Sequence, residues 1–142
     1  MKIFVRAHQL PPRLAAAAII LDSGFSKSDA GEETAAALHG MAARTYPFLR
    51  GMDPVTFTRL LSKSELTIGT ALLLPFVPSL LAGAALTGFA SGLLGLYLRT
   101  PGMRREGSLR PSEQGIALAK DLWLLGIGMA LVLEELTECR RD

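Results

Sequence analysis

Residues 66–98, LTIGTALLLPFVPSLLAGAALTGFASGLLGLYL, contain no charged side chain. At about 33 residues the run far exceeds the roughly 18 apolar residues that already suggest a membrane span. Pro75 and Pro78 interrupt it. Each proline disfavours helix at the residue before it, so "PFVP" reads as a tight turn between two antiparallel helices and not as a kink in one. The run therefore predicts two spans, about 60–76 and 78–98. Just upstream, "DPVTFTRLL" supplies a helix start, with Asp53 as N-cap and Pro54 as first helical residue. A helix from there to Pro75 is about 33 Å long at 1.5 Å per residue.

Working outward, the next apolar segment lies at Leu10 to Phe25, rich in alanine and closed by Asp22 and Lys27. Its apolar part begins only after Pro11-Pro12-Arg13, and "LDSG" is a poor cleavage site, so it reads as a retained first span, about 10–26. Alanine is only weakly lipophilic, and this helix is expected to pack against its neighbours. Between the first two spans lies a long polar loop, "SKSDAGEETAAALHGMAARTYPFLRG". Within it Ala35, Ala36, Leu38, Met41 and Ala42 recur at helical spacing. They predict a short helix at the membrane surface, closed before Pro47. Beyond the charge-free run, "RTPGMRREGSLRPSEQG" is a polar loop, and a last span is expected over about 116–134, ending near Leu133.

The expected fold is all-α: a transmembrane four-helix bundle with the long polar loop between its first two helices, one domain over residues 1–142, multi-pass in the cell membrane. In the third span Ala84, Gly88 and Gly92, with Ser91 and Gly95 beside them, form a stripe of small residues that predicts a close packing face.

Composition removes several function classes. The net charge of +2 comes without a basic, aromatic-interleaved stripe, which argues against a nucleic-acid partner. A single cysteine, Cys139, precludes an internal disulfide or a CxxC redox pair. His8 and His39 lie outside the spans and are not paired at metal-ligand spacing, so no metal site is expected. No GxGxxG motif and no covalently held cofactor are indicated.

The charges gather at one face. If the N-terminus starts on side A, the first helix brings Asp22 and Lys27 to side B. The second begins there with Lys63 and Glu65. The fourth begins there with Lys120 and Asp121, inside "LAKDLWLLG" at 118–126. Intramembrane ionisable groups are costly unless paired and point to a site by default. The competing reading is that they end helices or snorkel to the headgroups, which long lysines do easily and short carboxylates poorly. Asp22, Lys27, Glu65, Lys120 and Asp121 form the candidate binding cluster. Adjacent residues on a helix point about 100° apart, so Lys120 and Asp121 cannot share one partner. The expected pairing is of one of them with Glu65 or Asp22. The excess of Lys and Arg on side B places that side in the cytoplasm and both termini outside.

The "GFSK" ending of the first helix, "ELTIGTALLL" opening the second, the apolar third helix and "KDLWLLGIGMALVL" in the fourth resemble the DoxX-like family of small integral membrane proteins, over about residues 10 to 135. The long polar insert departs from that family's compact form. The resemblance implies a four-helix transmembrane bundle and, for some members, association with quinone-linked oxidoreductases or other membrane redox complexes. It points to a subunit or accessory of such a complex, with a quinone between its helices, a soluble oxidoreductase or another membrane subunit as partner, and the lipid bilayer around it. Nothing in the chain carries electrons alone, so catalysis by the isolated chain is not expected. A non-enzymatic membrane scaffold or assembly factor fits the bare sequence equally well, and a small-solute carrier less well, because one chain supplies few pore-lining polar residues.

Overall fold

A computed structural model describes residues 6–29, 31–100, 107, 108, 110, 112, 115, 116 and 121–139. Among them there are five α-helices and no strand: α1 (Leu10–Ser28), α2 (Glu32–Thr45), α3 (Pro54–Leu73), α4 (Ser79–Arg99) and α5 (Asp121–Cys139). A single 3-10 turn, Ala7–Gln9, leads into α1, and another, Pro47–Gly51, follows α2.

Local chemistry accounts for most of the helix ends. The Asp53 side chain accepts from the backbone N–H of Thr56 at 3.1 Å, and Pro54 occupies the first turn of α3, where its missing N–H costs nothing. The α2 helix stops at Thr45, short of Pro47. The break between α3 and α4 falls at residues 74–78 and is closed by the Val77 N–H on the Leu74 carbonyl at 3.2 Å. The last helix departs from expectation. It continues past Leu133 through the acidic "EELTE" to Cys139, a stretch of good helix formers with no breaker.

The helices pack as two pairs. The α1 and α3 helices lie antiparallel: Gly24 of α1 faces Leu66 and Glu65 of α3, and Leu21 faces Gly69. The α4 and α5 helices do the same, with Gly83 against Leu131 and Thr87 against Gly128. The core between the pairs is rich in alanine: Ala16, Ala17, Ile20, Leu72, Ala82, Leu86, Ala90, Leu124 and Leu131. The closest approach is between α4 and α5. A Cβ on Gly128 would lie 2.9 Å from the Thr87 backbone nitrogen and 3.0 Å from the Gly83 carbonyl oxygen. Backbone cannot give way as a side chain can. The packed face is thus rotated from the expected small-residue stripe. Ala84, Gly88 and Ser91 are exposed, Gly92 and Gly95 lie half-buried against Tyr46, and the buried face includes Ser79, Ala82, Gly83, Leu86 and Ala90.

A buried arginine ties α1 to the α3–α4 turn. Arg13 is 1% exposed. Its Nε donates to the Leu72 carbonyl (2.8 Å), Nη1 to Val77 O (3.1 Å) and Ser79 Oγ (2.9 Å), and Nη2 to Ala71 O (2.7 Å) and Leu74 O (3.0 Å). A guanidinium has five N–H donors, and each has a partner. The carbonyls at the end of α3 have no intrahelical partner and carry the negative end of the helix dipole, so one cation answers both demands. Beside it the Ser79 hydroxyl donates to Gln9 Oε1, and Gln9 Nε2 donates to Glu134 and Glu135 of α5. Arg6 and His8 also reach Glu134, and Arg6 reaches Glu138. The N-terminal segment is thereby fastened to the end of α5.

Several polar side chains are buried and several large apolar ones are exposed. Among the largest fully buried side chains are Arg13, Gln9 and Glu65. On the outside stand Leu14, Ile19, Phe25, Leu60, Leu81, Leu122, Trp123 and Leu133. Of the four expected spans, only the third, Ser79–Arg99, is a helix long and apolar enough to cross a membrane among the described residues.

Candidate functional site

At the end of the bundle away from Arg13, all five helices turn side chains toward one cavity of about 220 Å³. Ser23 and Lys27 come from α1, and Leu38, Met41 and Ala42 from α2. Phe57, Leu61 and Glu65 come from α3, Leu93 and Leu96 from α4, and Asp121 from α5. The α2 helix makes this possible. It packs against both α3 and α4 and holds its place by three contacts. The Tyr46 hydroxyl donates to the Gly92 carbonyl of α4 at 2.7 Å. His39 Nε2 lies 2.7 Å from the Leu49 carbonyl, and its ring meets Phe57 of α3 edge-on at 5.5 Å.

The polar wall is an ion pair. Lys27 Nζ lies 2.9 Å from Glu65 Oε1 and 3.1 Å from Oε2. Ser23 sits one helical turn before Lys27, accepts from the ammonium through its hydroxyl oxygen, and donates to Glu65 Oε1 at 3.2 Å. Glu65 is 2% exposed and Lys27 20%. One turn before Glu65, the buried Ser62 hydroxyl donates to the Gly24 carbonyl at 2.7 Å, bringing α1 and α3 together at the pair. The rest of the lining is almost wholly apolar: leucines, Met41, Ala42 and Phe57. Asp121, half-buried at the start of α5, faces the same space and is near enough to interact electrostatically with both Lys27 and Glu65.

The candidate cluster divides accordingly. Lys27, Glu65 and Asp121 meet at the cavity. Asp22 is exposed and does not line it. Lys120 lies outside the described residues. The partner of Glu65 is Lys27 and not Asp121, because α1 and α3 pack directly while α5 reaches the cavity from the opposite pair. Sequence reading passed over Ser23, although its spacing of four from Lys27 was available as a signal. It also passed over the apolar lining from α2, whose periodicity was visible but whose docking partner was not.

Elsewhere the polar groups have structural roles. His39 clips α2 to α3, and His8 belongs to the Glu134 network. Among the described residues no group of three His, Cys, Asp or Glu is placed to hold a metal ion. The cavity is small beside the roughly 300–1,000 Å³ of sites for whole drug-sized ligands. It suits the head group of a larger molecule. Comparison of the chain with protein-family models, with curated proteins and with solved structures finds no significant match.

Proposed function

We propose that this chain is a DoxX-like, multi-pass membrane bundle that holds the ring of a quinone-class molecule at one end, as a subunit or accessory of a membrane redox complex. The observation that carries the reading is the cavity: one apolar chamber lined from all five helices, with an ion pair and a carboxylate on its wall. An apolar ring with polar substituents matches such a lining, and its hydrocarbon tail would pass out between helices toward lipid.

The membrane part of the reading has two supports. The helices α1, α3, α4 and α5 have 19, 20, 21 and 19 residues. At 1.5 Å per residue each is about 30 Å long, the thickness of a bilayer's hydrocarbon core. Large apolar residues such as Leu14, Ile19, Leu81, Leu122 and Trp123 also stand on the outside, beside the polar outer face of α3, while Arg13, Gln9 and Glu65 are buried. Only 33% of the most apolar window of α4 is buried, whereas the core helix of a soluble domain is mostly covered. In this reading the chain binds and orients the ring, and a partner protein supplies or removes electrons.

The test is to isolate membranes, wash them with alkaline carbonate, purify the chain in mild detergent and extract it with organic solvent. Retention in the membrane and a stoichiometric quinone in the extract are expected. Leu93→Trp, which fills the cavity, should remove the quinone and leave the helix content unchanged. Release by carbonate would overturn the membrane assignment. A retained, folded protein that brings down a partner but no quinone would favour the scaffold instead.

A further inference from the structure

We propose that the cavity selects for a head group that donates a hydrogen bond, the hydroxyl-bearing quinol in preference to the carbonyl-bearing quinone, and that Asp121 is the acceptor that makes the choice. The proposal rests on reading the cavity as a ligand site and adds which form of ligand it takes.

The argument is an inventory of donors and acceptors. An ammonium has three N–H donors and no acceptor. Lys27 Nζ directs its donors at Ser23 Oγ, Glu65 Oε1 and Glu65 Oε2. The Ser23 proton is in turn given to Glu65 Oε1. The trio is closed on itself, and no donor in it is left to meet an incoming carbonyl. Asp121 differs. It faces the cavity, and among the described residues no hydrogen bond engages its carboxylate. An ionised carboxylate only accepts.

The charges agree. With Lys27 and both carboxylates ionised, the described polar wall is net negative. An anionic head would be repelled. A carbonyl oxygen placed beside an ionised Asp121 would set two acceptors against each other with no proton between them. A hydroxyl gives the carboxylate its donor. Sites built around one hydrogen bond to a substrate hydroxyl discriminate strongly against analogues that cannot make it. Alkylammonium is the other head that donates, and it marks the boundary of the proposal.

The purified chain in nanodiscs is titrated by calorimetry without oxygen. The probes are a decyl-tailed benzoquinol, its matching benzoquinone, and decylammonium. The quinol is expected to bind at least tenfold more tightly than the quinone. Asp121→Leu should bring the two within threefold of each other. Asp121→Asn, whose amide both donates and accepts, should narrow the ratio by admitting the quinone. Far-ultraviolet circular dichroism confirms that each variant keeps its helices.

A quinone that binds as tightly as the quinol in the parent chain would overturn the selection while leaving the site. So would a tenfold preference that survives Asp121→Leu. If Leu93→Trp leaves binding of every probe unchanged, the cavity is not the site and both readings fall. Decylammonium binding more tightly than the quinol would uphold the donor rule and overturn the quinone class.

Discussion

Two cations hold this bundle, the buried Arg13 at one end and the half-buried Lys27 at the other, and their surroundings are opposite in kind. Arg13 sits among backbone carbonyls and a serine hydroxyl, with a partner for every N–H and no carboxylate in its hydrogen-bond shell. Lys27 meets a carboxylate, and beside the pair lies a cavity with a second carboxylate on its wall. The first end closes a turn; the second leaves room. A buried ionisable side chain in an apolar chain is therefore not in itself a site. What separates lock from site is whether the surrounding shell is complete.

The sharpest way to break this comparison is Arg13→Leu. It removes the Arg13 donors from four carbonyls near the α3–α4 turn, of which, among the described residues, only that of Leu74 keeps another, the Val77 N–H, and a loss of about 4 kcal/mol or more is expected, the scale of a broken buried network. Arg13→Lys keeps the charge but offers three donors for five acceptors and should still lose about 2 kcal/mol. Both are read from unfolding in mixed micelles on titration with a denaturing detergent. A loss under 1 kcal/mol for Arg13→Leu would mean that the lock is not a lock.

At the other end Glu65→Ala strands the Lys27 ammonium and should cost about 2–3 kcal/mol, the range for a hydrogen bond to a charged group. Adding Lys27→Met should return more than half of that loss, because the second change removes the unpaired charge. Simple additivity in this double-mutant cycle would show that the two charges do not support each other.

The α4–α5 contact links the two ends and gives an intermediate test. Gly128→Ala pushes a methyl group against the Thr87 backbone nitrogen and the Gly83 carbonyl, and overpacking of that sort costs about 1–3 kcal/mol. Gly88→Ala, with open space at its Cβ, should be neutral or stabilise by up to about 1 kcal/mol through helix propensity. Equal melting temperatures for the two variants would refute the rotation of the packed face.

The smallest effect on stability is expected at Asp121. Asp121→Asn should change unfolding by less than about 0.5 kcal/mol, since the carboxylate closes no network among the described residues, and its consequence should appear only in ligand binding. A large destabilisation there would move Asp121 from the open end of the comparison to the locked one.

Much of the helical framework could be read before any coordinates. Asp53-Pro54 as a helix start, the break at "PFVP" and a helix over Ala35–Ala42 closed before Pro47 all depend on neighbours within a few residues. The reading failed where it needed distance. Nothing local in the sequence marks Arg13, because its partners lie about 60 residues on, in a turn that has no polar side chain before Ser79. The continuation of α5 was hidden by the change from apolar to acidic residues, which ends a span but does not end a helix. Lys27 and Glu65 were singled out from the sequence, yet as members of a cluster and not as partners.

What the sequence determined by itself is where helices begin and break, how long they are and which of them carry charge near which end, because caps, prolines and hydropathy act over one or two turns. Which charge meets which was decided only by the tertiary structure. Each residue turns a helix by about 100°, so Asp22 and Lys27, five residues apart, point about 140° apart and only one of them can face Glu65. Hydropathy alone does not fix the rotation of α1 against α3 to within one residue. The close approaches set it, where Gly24 meets Leu66 and where Gly83 meets Gly128. The end of α3 and the turn after it completed the shell around Arg13, while at the other end α2, packed against α3 and α4, lines a cavity that leaves Asp121 without a hydrogen-bond partner among the described residues.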